Sequence, residues 1–206
     1  SHELNQPGCY RDVKDTTCVA QFKAVGEEDL YFLAWTTTPW TLPSNTALCV
    51  GPNIEYVKVK SSNPYTGAPA TYIVAKELVG SLFNDKIAYE VLPEVYKGKD
   101  LVGMQYEQLI PWFRPDEGAF RVIEGDYVST EEGTGIVHIA PTFGADDAKV
   151  AKLAGVPALM VIDANGDPQA QVDLQGRFYR IEDLDPAYVA DRVSEEYRQW
   201  AGRFVK

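Results

Sequence analysis

The stretch LYFLAWTTTPWTLPSNTALCV, residues 30–50, joins two apolar segments through a polar one. Residues 30–36 form a dense apolar and aromatic run typical of a buried strand, and residues 46–50 are predicted as a second strand. Pro39 and Pro43 cannot donate ladder hydrogen bonds, so the chain must leave the sheet between these strands. The connection is rich in threonine hydroxyls, which suit the binding of a polar ligand at a strand end. The alternative, which composition alone favours, is a turn that satisfies its own backbone.

The rest of the chain predicts a β-rich domain with few helices. Apolar runs between turn residues predict further strands at 17–25, 54–60, 71–75, 87–95, 120–128, 135–140 and 158–163. Helical spacing predicts helices at 145–154 and 186–200 and a short one within 76–83. Gly155 and Asp185 supply matching stop and start signals. Many short strands with peripheral helices favour an α+β fold on a mainly antiparallel, barrel-like sheet. We predict one domain over residues 1–206, with Ser1-His2 as a tag remnant.

The composition restricts where and how this chain acts. Of 206 residues, 45% are hydrophobic and 12% aromatic, which excludes a largely disordered chain. The net charge of −11 predicts that any nucleic-acid contact is small, local or shared with a larger protein. No apolar run is long enough for a membrane helix, and no secretory signal is visible. The three cysteines are few and odd in number, which indicates a reducing compartment without a disulfide framework, so we expect a cytoplasmic location.

A second segment, GTGIVHIAPTFGADD at 133–147, carries further candidate site residues. On a strand His138 points away from the neighbouring aliphatic residues, and a structural hydrogen-bonding role is the more common one for a lone histidine. Asp147 shares the apolar face of the predicted helix, whereas Asp146 points to solvent. A carboxylate that faces inward requires a partner, either a protein donor or a ligand cation such as an ammonium group. The sequence lacks a serine elbow, a zinc-protease motif and close-set metal ligands, which favours hydrolysis by a positioned water if the chain is a hydrolase.

Together the two segments resemble the editing domain, or connective polypeptide 1, of isoleucyl-tRNA synthetases. Residues 35–50 are similar to the family's threonine-rich peptide, and residues 133–147 to its second editing motif. The sister valyl and leucyl domains typically carry Arg where this chain has Thr38, so the triple threonine favours the isoleucyl branch. The HIGH and KMSKS motifs of the synthetic site are absent, so we expect an excised editing domain of the class I synthetase type.

The resemblance implies proofreading by hydrolysis. Isoleucyl-tRNA synthetase is itself the known example of this problem, because one missing methylene gives only about 150-fold discrimination against valine and a second site must remove the error. The implied reaction is cleavage of Val-tRNA(Ile) to free valine, with valyl-adenylate as a second candidate substrate. The implied catalytic residues are Thr37, Thr38 and Asp147, of which Asp147 would hold the substrate α-ammonium group and the threonines would contact the ester and place the water.

The resemblance also implies a substrate-binding set. Its members are Thr36, Trp40, Asn45, Thr134 and His138, with Asn45 lining the pocket, Trp40 walling it or supporting the terminal adenosine, and His138 limiting side-chain size. A single histidine without an orienting partner in the sequence is weak evidence for a general base.

The remaining expectations concern partners and alternatives. The implied partners are the aminoacylated 3′ end of tRNA(Ile), its valine moiety and the rest of the synthetase, and the implied state is a monomer. We expect no metal and no cofactor for editing, with water as the nucleophile and ATP used only by the absent synthetic domain. The alternatives are an editing domain of the valyl or leucyl type and a non-catalytic β-rich binding module.

Overall fold

The computed structural model describes residues 9–13, 17–36, 38–63, 66–83, 87–131, 133–173 and 175–204. The described strands are β1 (Cys9–Val13), β2 (Thr17–Lys23), β3 (Leu30–Thr36), β4 (Ala47–Val50), β5 (Glu55–Ser62), β6 (Pro69–Ala75), β7 (Glu90–Lys97), β8 (Arg121–Glu124), β9 (Ile136–Ile139), β10 (Val161–Ile162) and β11 (Pro168–Gln169). The described α-helices are α1 (Val79–Leu82), α2 (Gly98–Leu101), α3 (Ala145–Ala154) and α4 (Pro186–Arg192).

The large sheet branches at β3. Along one edge β3 pairs antiparallel with β2. Along the other edge its first half pairs parallel with β6, and its second half pairs parallel with β9 through Trp35 and Val137. The sheet continues from β6 to β5 and β7 on one side, and from β9 to β4 and β8 on the other. Most pairs are antiparallel, which confirms the predicted α+β class with a mainly antiparallel sheet, although β4 and β8 also pair in parallel.

The core packs against both faces of this sheet. One large cluster contains Phe22, Phe32 and Ile136, together with Trp112 and Tyr197 from the later part of the chain. Smaller clusters cover the opposite face of β3, β5 and β6 and the face of β4, β8 and β9 next to α3. The ends of β3 and β9 are therefore held rigidly where they meet the threonine-rich connection.

The helices confirm some predictions and correct one. The predicted helix at 145–154 is α3 with the same bounds, and Gly155 follows it at φ 75°, a left-handed conformation that favours glycine. Asp185 caps α4 by accepting a hydrogen bond from the Tyr188 N–H. The prediction of one helix over 186–200 is wrong, because α4 ends at Arg192 and a separate 3₁₀ helix occupies Glu195–Gln199.

Three further details differ from the sequence predictions or extend them. Strand β1 was not predicted. Cys18 at the start of β2 is disulfide-bonded, which the sequence did not predict, while Cys49 is a free, buried thiol. In the part of the chain that the structure describes, no helix is both long and apolar enough to cross a membrane.

Candidate functional site

A cavity of about 450 Å³ opens where β3 ends, beside β9 and the first turn of α3. Both sequence motifs contribute to its walls. The predicted site residues that line it are Thr36, Thr38, Trp40, Thr134, His138 and Asp147. Thr37 lies outside the described residues. Asn45 is buried behind the cavity wall and does not line it.

The threonine-rich connection folds into a 3₁₀ helix, Pro39–Ser44, with Pro39 in its first turn. The Thr36 hydroxyl accepts a hydrogen bond from the Thr38 N–H at 3.0 Å, and the Thr41 hydroxyl donates to the Thr38 carbonyl at 2.8 Å. Thr36 and Thr41 are buried, and their hydroxyls bond to the backbone of the same turn. For these two threonines the structure therefore agrees with the alternative of a turn whose side chains satisfy its own backbone. Thr38 is exposed to the cavity, with its hydroxyl 3.2 Å from that of Thr41. The ligand-binding interpretation therefore rests on Thr38 among the described threonines.

His138 is a buried part of the cavity wall, and both of its ring nitrogens are engaged. Nε2 lies 2.9 Å from the Thr41 hydroxyl, and Nδ1 lies 2.8 Å from Asn45 Nδ2. Burial lowers the pKa of His138 from 6.5 to about 3, so the ring is neutral at physiological pH. A ring in this state is unsuited to general-base catalysis, because both nitrogens already have partners and its basicity is low.

Asp147 lies in the first turn of α3, with its side chain half-buried against the cavity. Its Oδ2 accepts a hydrogen bond from the Ala140 N–H at 3.0 Å. Burial raises the pKa of Asp147, and the nearby negative charge of Asp146 adds to the effect. None of the ion pairs among the described residues includes Asp147. The inward orientation predicted from helical periodicity is confirmed, and Asp146 is exposed as predicted.

Thr134 reaches the cavity mainly as part of the loop that precedes β9. Its buried hydroxyl donates to the Ile136 carbonyl and accepts from the Ile136 N–H, so its hydrogen bonds are local. Tyr56 anchors this loop, because its buried hydroxyl donates to the Gly135 carbonyl and accepts from the Gly51 N–H.

Trp40, which the resemblance implied as a wall of the pocket, packs edge-to-face on Phe143, with ring centroids 5.1 Å apart. Sequence reasoning missed other side chains of the cavity lining, which include Trp35, Thr41, Tyr127, Ser129 and Phe143. Their position was the available signal, because Trp35, Thr41 and Phe143 lie within the two motifs and residues 127–129 lie shortly before the second. Within the described residues, no group of three or more His, Cys, Asp or Glu side chains is placed to hold a metal ion.

Comparison with solved structures first defines the class of fold. The structure is similar to the cytosolic leucyl-tRNA synthetase editing domain of P. knowlesi, with a TM-score of 0.54 and 14% identity over 71% of this chain and 63% of that one. It is also similar to the corresponding P. falciparum domain, with a TM-score of 0.51 and 15% identity over 68% of this chain and 58% of that one. The chain thus has the fold of synthetase editing domains.

Sequence relatives then give the family. The chain is 58% identical to the isoleucine–tRNA ligase of Bacteroides fragilis and 57% identical to that of Porphyromonas gingivalis, in each case over 100% of this chain and 20% of the relative. It belongs to the isoleucine–tRNA ligase family, which confirms the resemblance drawn from the two motifs. The chain spans about a fifth of the length of these relatives. No protein-family model matches it.

Proposed function

We propose that this chain is the proofreading site of an isoleucine–tRNA ligase and hydrolyses the ester bond of Val-tRNA(Ile), with valyl-adenylate as a second candidate substrate. The observation that carries the proposal is the position of Asp147. A half-buried carboxylate with no ion-pair partner among the described residues lines the same cavity as Thr38 and His138. Such a carboxylate is stabilised when a cation binds, and the α-ammonium group of an aminoacyl ester is a cation of suitable size.

In the proposed reaction, a water molecule attacks the carbonyl carbon of the aminoacyl ester. The bond between that carbon and the ribose oxygen breaks, and a proton passes to the ribose oxygen, which leaves free valine and uncharged tRNA. Asp147 holds the ammonium group, while Thr38, and by the family resemblance Thr37, contact the ester and help to place the water. His138 does not take the proton, because its ring nitrogens are occupied and its pKa is about 3. We propose that no metal or cofactor takes part.

His138 has a steric role in this proposal. Its ring is fixed on both edges, so the wall it forms does not yield to one additional methylene. A valyl side chain fits, whereas an isoleucyl side chain is excluded, which gives the second sieve. The aromatic wall of Trp40 and Phe143 lies where it can support the substrate or its terminal adenosine.

The chain's charge of −11 bears on the tRNA partner. An acidic domain gains little from phosphate contacts, so we propose that it binds only the aminoacylated 3′ end and that the rest of the ligase holds most of the tRNA. We further propose a monomeric state and a cytoplasmic location, as for a component of protein synthesis.

The test is deacylation of Val-tRNA(Ile) and Ile-tRNA(Ile) by this chain, alone and with the remainder of the ligase added in trans. Asp147→Asn removes the charge that binds the ammonium group, and we expect hydrolysis of the valyl ester to fall by roughly 10- to 100-fold. Asp146→Asn is the matched control, because it removes an exposed carboxylate from the same helical turn and should leave the rate unchanged.

Each alternative gives a different result. A non-catalytic binding module releases no amino acid even with the rest of the ligase present. A domain that edits a different amino acid spares the valyl ester. Equal losses in Asp147→Asn and Asp146→Asn would contradict the ammonium-binding role. His138→Ala should make Ile-tRNA(Ile) a substrate, and continued exclusion of isoleucine would count against the sieve.

A further inference from the structure

A buried network of hydrogen-bonded side chains connects the core to the cavity wall. Its innermost member, Tyr106, does not line the cavity. Tyr106 lies between α2 and β8, with 2% of its surface exposed. Its hydroxyl donates a hydrogen bond to Asn45 Oδ1. Asn45 contacts His138, and His138 contacts Thr41, which itself bonds the Thr38 carbonyl. These hydrogen bonds thus link Tyr106 in the core to the wall of the proposed site.

The donors and acceptors of the Asn45 amide fix the direction of each hydrogen bond in this network. The two hydrogens of Asn45 Nδ2 go to the Ala47 carbonyl at 2.9 Å and to His138 Nδ1 at 2.8 Å. His138 Nδ1 must therefore accept, which leaves the ring proton on Nε2. That N–H donates to the Thr41 hydroxyl at 2.9 Å, and the Thr41 hydroxyl donates onward. One tautomer of His138 satisfies all of these groups, whereas the other places two N–H groups against each other.

Tyr106 completes this arrangement, because it supplies the donor that Asn45 Oδ1 needs. The residue is fixed by packing, with its ring edge-to-face against Phe22 at 5.3 Å and against Phe120 at 5.9 Å between centroids. Burial raises the pKa of Tyr106 well above its ordinary value, so its hydroxyl keeps its proton and remains a donor. Without it, the buried Asn45 amide oxygen has no hydrogen-bond partner among the residues that the structure describes, and the amide plane loses one of its constraints.

We propose that Tyr106 is a positioning residue for the specificity of the site: its hydroxyl fixes the Asn45 amide, and the amide holds the His138 ring in one tautomer and one orientation at the cavity wall. This inference rests on the proposed function, since the wall matters as a sieve against isoleucine. A residue outside the cavity thereby controls which amino acid side chain enters it.

The test uses the two histidines of the chain, His2 and His138. In a His2→Gln background, selective ¹⁵N labelling gives one imidazole whose nitrogen shifts report the tautomer directly. With Tyr106 present we expect a single tautomer protonated at Nε2. Tyr106→Phe keeps the ring packing and removes only the hydroxyl, and we expect a mixture of tautomers together with a rise of roughly ten-fold in hydrolysis of Ile-tRNA(Ile), while the valyl rate changes little.

Two further variants make the test specific. Tyr197→Phe removes another buried tyrosine hydroxyl, which donates to the Tyr179 carbonyl away from the cavity, and it should leave the His138 spectrum and the specificity unchanged. Asn45→Asp offers only acceptors to the ring, so it should move the proton to Nδ1. If Tyr106→Phe does not fold, a His138 Nδ1 that stays unprotonated in Asn45→Asp overturns the proposal, because the Asn45 side chain then does not set the tautomer of the ring.

The outcomes separate this inference from the proposed function. An unchanged His138 tautomer in Tyr106→Phe overturns the positioning role, and a changed tautomer with intact exclusion of isoleucine overturns the role in specificity. If the protein with Tyr106 hydrolyses no aminoacyl-tRNA even with the rest of the ligase, the proposed function fails and the specificity role fails with it. In that case the spectrum still reports whether Tyr106 orients the ring.

Discussion

Acidification should destabilise this protein through His138. The folded state lowers the pKa of His138 to about 3, because burial disfavours the charged ring. An unfolded chain restores the ordinary value of about 6.5. Between these two values the unfolded state binds a proton that the folded state does not, so the free energy of unfolding falls as the pH falls. The stabilising contribution is complete above about pH 6.5 and is lost progressively towards pH 3.

The size of the effect follows from the separation of the two pKa values. Each unit of pH within the window corresponds to about 1.36 kcal/mol. Lowering the pH from 7 to 5 should therefore remove about 2 kcal/mol of stability, and reaching pH 4 should remove about 3 kcal/mol. Asp147 acts in the opposite direction, because its pKa is raised in the folded state and its protonation is favoured there.

The assay is urea unfolding at several pH values for the protein and for His138→Gln, both in a His2→Gln background. Carboxylates contribute to both proteins, so the difference between the two curves isolates the ring. The glutamine variant should lose about 2 kcal/mol less than the protein between pH 7 and pH 5. Parallel curves would show that His138 titrates near its ordinary pKa, and the buried, doubly bonded geometry described for it would then be wrong.

Three other perturbations test the surrounding structure. Gly135→Ala places a Cβ against that of Ala75, closer than two carbon atoms can lie, at φ +80°. It should therefore lower the free energy of unfolding by more than Gly26→Ala, which meets no atom within 4 Å at φ +82° and should cost about 1 kcal/mol. Equal losses in urea titrations would argue against the close packing. Tyr56→Phe removes two buried hydrogen bonds and should cost about 1–3 kcal/mol by the same measurement, whereas a neutral result would contradict those bonds. Burial raises the pKa of the Cys49 thiol to about 12, so alkylation at pH 8, followed by peptide mass, should occur only after unfolding.

The elements that sequence predicted well are those with local signals. Helix α3 has its acidic first turn and its terminal glycine within a dozen residues, and both of its bounds and the inward side of Asp147 were predictable. Strand β3 was predictable because its apolar run is bounded by a turn and by the threonine-rich segment. The two motifs are far apart in the sequence, yet they form one site because the strands β4 and β9 pair. In that pair Leu48 of β4 lies opposite His138 of β9.

The errors come from contacts between distant parts of the chain. The helical pattern over 186–200 breaks after Arg192 because Val193 bridges to Phe113 and the Ser194 N–H donates to the Trp112 carbonyl. A backbone used in this way cannot continue a helix. Nothing in the local sequence signals that competition.

The same reason explains the misassigned position of Asn45. The family resemblance implied a pocket-lining residue, but its two polar ends are used by Tyr106, 61 residues away, and by His138, 93 residues away. A pattern of neighbouring residues does not encode such pairs.

The branching of the sheet at β3 restricts how the length of the chain can vary. One short strand sets the register of β6 and of β9, so a residue inserted within Leu30–Thr36 would shift one branch against the other and turn alternate side chains to the wrong face. The connection between β5 and β6 sets the register of one strand pair only, and its described residues 66–68 are exposed, so we expect it to accept insertions. Length changes among proteins of this kind should therefore accumulate at that hairpin end, whereas the strand that delivers the threonines to the cavity should keep a fixed length.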